Sequence, residues 1–196
     1  MNDPVLLKPQ LSALGNAKIS AGAQQWGIPN TFLSAVGTSA LSAGDLRYVP
    51  LFVMQYVKLT AFQIEVTAGP ASAANFRIGI YKADSELQPR GAPIFDSGSV
   101  SVGIGFTGIK SQTGLTIELS PGSYLIALNA DVAMTVRTFT SDTPIVVSAL
   151  GASPFAQRFS KTLAYAAFTN PGTAWDTISA SAGGQQNFAV WQWSLL

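Results

Sequence analysis

Hydrophobic and polar residues alternate with a period of two over much of this chain, the signature of strands with one buried face. Residues 47–53 read as a short strand, and Pro50 marks it as an edge strand or a bulge, because proline cannot donate to a ladder. Over 58–67, Thr60, Phe62, Ile64 and Val66 take one face and Ala61, Gln63, Glu65 and Thr67 the other. Residues 75–82 repeat the pattern, with Phe76, Ile78 and Ile80 inward and Arg77 and Tyr81 outward on a solvated face. A polar loop at 83–91 leads to a short strand at 94–97. Leu115, Ile117 and Leu119 then alternate with Thr116 and Glu118, and Ser120-Pro121-Gly122 supplies a turn, since proline presets its first dihedral. Tyr124, Ile126 and Leu128 carry the alternation through 123–129, and 135–140 follows. The remainder is looser: a strand at 143–149, a loop with one helical turn at 155–168, and a last strand at 187–196. About eight short strands punctuated by turns predict an all-β chain, an antiparallel β-sandwich of jelly-roll type.

Residues 1–45 break this pattern. They carry only Asp3, Lys8, Lys18 and Asp45 as charges and show no sustained period. Burial this sparse does not offset an ordering cost of about 1–2 kcal/mol per residue. The expectation is an extended N-terminal arm over 1–45, held along its own domain or by a neighbouring chain, before a sandwich at 46–196. Its apolar residues Val5, Leu6, Leu7, Trp26, Phe32 and Leu33 are the candidate partner contacts. The N-terminus shows no basic, apolar leader, and no run approaches the roughly 18 apolar residues that span a membrane. A soluble chain made in the cytoplasm is expected.

Composition narrows the chemistry. The 196 residues contain no histidine and no cysteine, and only 11% are charged. That removes Ser-His-Asp and Cys-His catalysis, imidazole and thiolate metal ligands, and disulfides. A net charge of +1 gives no electrostatic reason to expect nucleic acid or an anionic membrane. No cofactor is expected. With nothing titrating near neutral pH and little charge to screen, its contacts should tolerate changes of pH and salt.

Three features could still carry chemistry. Residues 103–108 match G-x-G-x-x-G, yet a strand rather than a helix follows, so they read as a loop and not as a dinucleotide site. Asp84, Glu86 and Asp96 could bring two carboxylates to one sugar, or oxygen ligands to a calcium ion, but solvated loop charges beside Lys82 and Arg90 explain them more simply. Tryptophans stand at 26, 175, 191 and 193. Trp175, Trp191 and Trp193 are the candidates for a subunit interface or a receptor contact, with Trp191 and Trp193 on one face of the last strand; burial is the favoured state.

The segments 46–53 and 59–66, then 75–84 with its Asn75-Phe76-Arg77-Ile78-Gly79-Ile80-Tyr81 and 119–128 with its Leu119-Ser120-Pro121-Gly122-Ser123-Tyr124, resemble jelly-roll domains of tailed-bacteriophage virion proteins. These domains occur on head decorations, head fibres and tail-fibre tips. A Tyr-x-Pro-x-Phe opening, an R-x-G-I-Y strand and a Leu-x-Pro-Gly-x-Tyr hairpin recur there in this order. The resemblance spans residues 46–140 and implies a non-enzymatic virion component, a homotrimer on the capsid exterior with the major capsid protein as partner. A start only some 45 residues before the domain favours a decoration or cement protein gripping the head through its arm. The alternative is a receptor-binding, lectin-like fibre tip whose partner is a host surface glycan.

Overall fold

The computed structural model describes residues 25–27, 35–53, 55–85, 88–141, 158–170, 179–181, 185–187 and 190–195. No helix occurs among them. Fourteen strands are present: β1 (Gln25–Gly27), β2 (Ala35–Leu41), β3 (Asp45–Val53), β4 (Val57–Ala68), β5 (Ala74–Ala83), β6 (Pro89–Asp96), β7 (Val100–Val102), β8 (Gly108–Leu119), β9 (Gly122–Ala130), β10 (Met134–Ser141), β11 (Arg158–Thr162), β12 (Ser179–Ser181), β13 (Gln185–Asn187) and β14 (Val190–Leu195). The count exceeds the expected eight because short strands flank the alternating ones.

They form two antiparallel sheets of seven strands. The front sheet runs β1-β14-β4-β10-β13, with β8 on the other edge of β4 and β2 on β10. The back sheet runs β12-β11-β3-β9-β5-β6, with β7 also on β5. The chain crosses between sheets at β2–β3, β3–β4, β4–β5, β7–β8, β8–β9, β9–β10, β10–β11 and β12–β13, as in the winding of a jelly-roll sandwich. Alternating inward residues fill the space between: Val49, Leu51 and Val53 from β3, Ile64 and Val66 from β4, Phe76, Ile78 and Ile80 from β5, and Ile126 and Leu128 from β9.

Four details depart from the sequence reading. Residues 25–27 and 35–41, expected in the arm, supply β1 and β2 to the front sheet, so that sheet gains strands before residue 45. Thr60, expected inward, is the extra residue of a bulge: Gln192 pairs with Ala61 and Trp193 with Leu59, and Leu59 takes the core position. The Thr60 hydroxyl instead donates to the side-chain oxygen of Gln192 at 3.0 Å. The pairing of β3 with β11 ends at Tyr48, so Pro50 stands where that ladder needs no N–H. Within the expected loop with a helical turn at 155–168, Arg158–Thr162 form β11 and 163–168 continue to residue 170 as coil, while 155–157 lie outside the described residues. The expected strand at 143–149 lies outside the described residues.

That coil is a strap across the outer face of the back sheet. Arg77 and Tyr81 do face outward, but the strap covers them and Tyr81 is 1% exposed. Leu46, Tyr48, Tyr81, Leu125 and Ala127 form a second apolar cluster with Phe168 of the strap. The strap is tied at both ends: Leu163 N–H donates to Gly44 O at 2.8 Å, and the Tyr81 hydroxyl donates to Thr169 O at 3.0 Å. Burial pushes the Tyr48 and Tyr81 phenols well above their ordinary range, helped by their mutual proximity at Tyr48 and by the Asp96 charge at Tyr81.

Candidate functional site

The carboxylates singled out from sequence are not gathered at one place. Asp84 closes its own loop: Oδ1 accepts the Gln88 N–H at 2.9 Å and Oδ2 accepts Arg90 Nε at 2.7 Å. Asp96 is a structural hub. It accepts Arg77 through both oxygens at 3.1 and 3.0 Å, the Gly98 N–H at 2.9 Å and the Phe168 N–H at 3.0 Å. Glu86 lies outside the described residues. Asp45 pairs with Arg47 at 2.8 Å and Glu65 with Arg137 at 2.9 Å. The hydrogen bonds from Arg137 hold the Glu65 carboxyl below its ordinary range. Each of these four carboxylates is therefore committed to an arginine. Among the described residues no group of three acidic, His or Cys side chains could hold a metal ion.

Arg47 does more than pair. Rooted in the back sheet and 5% exposed, it reaches across the sandwich to the Ser39 hydroxyl at 2.7 Å and to the Ala40 carbonyl, both on β2 of the front sheet. It staples the two sheets at one end.

Trp191 is 0% exposed and packs against Phe62 and Phe95 at ring-centroid distances of 5.6 and 6.3 Å. It is therefore a core residue of this chain and presents no surface to a receptor or a second subunit. Its indole N–H has no hydrogen-bond partner. Trp26 and Trp193 are placed by backbone register, opposite Gln192 and Leu59. Trp175, Val5, Leu6, Leu7, Phe32 and Leu33 lie outside the described residues.

The G-x-G-x-x-G run joins two strands and opens no helix, as expected. It belongs instead to one end of the sandwich. Gly105 N–H donates to Pro70 O at 2.9 Å, and a side chain on Gly69 would lie 2.4 Å from the Gly105 carbonyl carbon, so these two loops touch backbone to backbone. Gly105 has φ 63°, where glycine is the residue without strain. The 131–133 turn joins them through Asp131, whose carboxylate takes both the backbone and side-chain N–H groups of Asn75 at 2.6 and 2.8 Å. The 42–44 turn and Leu163 complete this end.

The two ends differ sharply in charge. In segments 42–44, 68–73, 101–107, 131–133 and 163–164, every exposed residue is Ala, Ser, Gly, Thr, Ile or Leu. Ile104 stands at the summit, 72% exposed, with Leu163 at 42%. Lys110, near the start of β8, is folded over the Phe106 ring at 4.3 Å. The opposite end, built from 55–57, 84–85, 88–90 and the 118–122 turn, exposes Lys82, Arg90 and Glu118 together with Tyr56 at 60%. Sequence reasoning missed this polarity, although its signal is present: no charged residue occurs from Val66 to Phe76 or from Ser97 to Ile109.

No family model and no curated protein matches the chain. Among solved structures it is similar to the cysteine protease and lectin-like domains of a surface-layer associated protein of Clostridium difficile, at 11% identity and a TM-score of 0.42, over 81% of this chain and 36% of that one. It is also similar to infectious bursal disease virus, Gx strain, at 7% identity and a TM-score of 0.30, over 90% of this chain and 43% of that one. A subviral particle of the same virus follows at 6% identity and a TM-score of 0.27, with the same coverage of 90% and 43%. The chain thus spans less than half the length of each of these proteins.

Proposed function

We propose that the chain is a non-enzymatic structural protein of a bacteriophage virion, a decoration or cement protein that binds the outer capsid surface and stabilises the head. One observation carries this reading. Of the four segments that resemble phage jelly-roll proteins, 46–53 falls on β3, 75–81 on β5 and 119–128 on β9 and the turn before it, which is a crossover between the sheets rather than the expected hairpin. β3, β9 and β5 are adjacent in the back sheet, and 59–66 lies on β4 of the front sheet. Tyr48 pairs with Ala127 and Tyr81 with Leu125, so two of the motif tyrosines meet across β9, 6.2 Å apart in T-shaped contact. Three of the four segments thus pack side by side in one sheet. The commitment of carboxylates to arginines favours the same reading, since it builds a rigid, internally neutralised body.

In this reading the arm before β1 grips the capsid and the sandwich stands on the exterior as a trimer. Removing residues 1–24 deletes no described strand. The truncated chain is expected to keep its β-sheet circular dichroism and lose particle binding; undiminished binding would count against the arm as the grip.

A receptor-binding fibre tip is the second reading. It is favoured by the outer face of the front sheet, where Thr60, Gln63 and Gln192 offer hydroxyl and amide groups and the Glu65–Arg137 charges cancel. Such a tip should bind host cells as free protein and compete with infection.

A further inference from the structure

We infer that the uncharged end of the sandwich is a docking face for a neutral, closely fitting protein surface, with Ile104 as its anchor. The inference rests on the reading of the chain as a virion component and names which part of the sandwich seats on the shell. Interface cores are depleted of charge, because each buried ion must be desolvated and paired. This end meets that requirement in advance. Among the described residues its exposed side chains carry no charge, its two carboxylates, Asp45 and Asp131, are spent on Arg47 and Asn75, and Lys110 is drawn back over an aromatic ring.

Shape supports the same assignment. The Gly69–Gly105 contact locks two loops together, so Ile104 is presented on a rigid support and loses little entropy on docking. Ala71, Ala73 and Ala133 around it are small enough for a partner backbone to come close. The opposite end, with Lys82, Arg90 and Glu118 exposed, suits solvent. A charged partner, such as nucleic acid or an anionic lipid surface, would find no complement at the neutral end. Within the virion reading, the neutral protein surface that this end meets is that of the shell.

The test compares Ile104→Glu with Tyr56→Glu, a change at another exposed hydrophobic residue at the charged end, using the full chain and purified particles assembled without it. Both variants are expected to keep the wild-type melting temperature, since both sites are open to solvent. Sedimentation of the chain with particles should weaken about tenfold or more for Ile104→Glu and stay unchanged for Tyr56→Glu. Equal binding by wild type and Ile104→Glu would overturn this inference and leave the virion reading standing. Failure of the wild type to bind particles would overturn the virion reading, and the inference with it. Concentration-dependent self-association of the free chain, abolished by Ile104→Glu, would assign this end to a second copy and overturn the shell partner.

Discussion

The ring of Phe168 fills the space that a side chain on Gly79 would need. A Cβ on Gly79 would lie 2.6 Å from Phe168 Cδ2 and 2.8 Å from Cε2, well inside van der Waals contact. Gly79 sits mid-strand in β5, where glycine is otherwise unfavourable, and its reason is this notch. Gly79→Ala is therefore expected to destabilise the chain by about 1–3 kcal/mol in urea unfolding, through overpacking. In a Phe168→Ala background the same change should cost far less. Additive effects of the two substitutions would show that the strap does not rest in the notch.

Asp96 joins that strap to the sheet, and its partners are shielded. The Arg77 and Asp96 side chains are 15% and 20% exposed, whereas Arg90, facing Asp84, is 63% exposed. Asp96→Asn leaves a guanidinium without its counter-charge and should cost about 3 kcal/mol. Asp84→Asn should cost under about 1 kcal/mol, as exposed pairs do. Proteolysis within 163–170 should quicken for the first variant alone. Equal midpoints for the two would contradict the difference in burial.

Glu65 ties stability to pH on the acid side. Its folded-state carboxyl lies below the ordinary range because Arg137 donates to it, so its contribution is present above about pH 4.3, the unfolded value. That contribution is lost as pH falls through the lower, folded value. The melting temperature of Glu65→Gln should thus lie below wild type near neutrality and converge with it in strong acid. Both side chains are over 30% exposed, so the gap is small and should shrink with salt. A constant gap across the range would refute the assignment.

Tyr48 and Tyr81 act at the alkaline limit. Burial raises both phenols, so the fold's preference for their neutral forms is fully present below about pH 10, the unfolded value, and is lost as pH rises toward the folded values. In a spectrophotometric titration, Tyr48 and Tyr81 should ionise only together with loss of β-sheet signal. Tyr48→Phe should extend the alkaline limit upward. Ionisation of every tyrosine while the sheet signal persists would contradict their burial.

Strands with one buried face were legible in the sequence, because period-two alternation is a local signal: Phe76, Ile78 and Ile80 point inward as read. Thr60 was misread because a bulge inserts one residue and flips the alternation, and the partner that creates it, Gln192, is 132 positions away. Arg77 and Tyr81 were placed on the correct face but in the wrong environment. What covers them is a strap without periodicity, held by backbone groups that leave no trace in side-chain pattern. For Asp84 the simpler reading, a loop charge beside Arg90, matches the structure, whereas the partner of Asp96, Arg77, is set by the pairing of β5 with β6. The neutral end could have been found, since two uncharged runs flank β5 and meet across the β4–β5 and β7–β8 loops.

The central claim, that this is a structural component of a virion exterior, is tested most directly by its copy number. Purified particles of the virus that encodes it should be analysed by quantitative gel staining against the major capsid protein. A decoration protein should be present in hundreds of copies per particle, in fixed ratio to the shell. A handful of copies would contradict the cement role and favour a fibre tip, and complete absence from purified particles would contradict the virion reading.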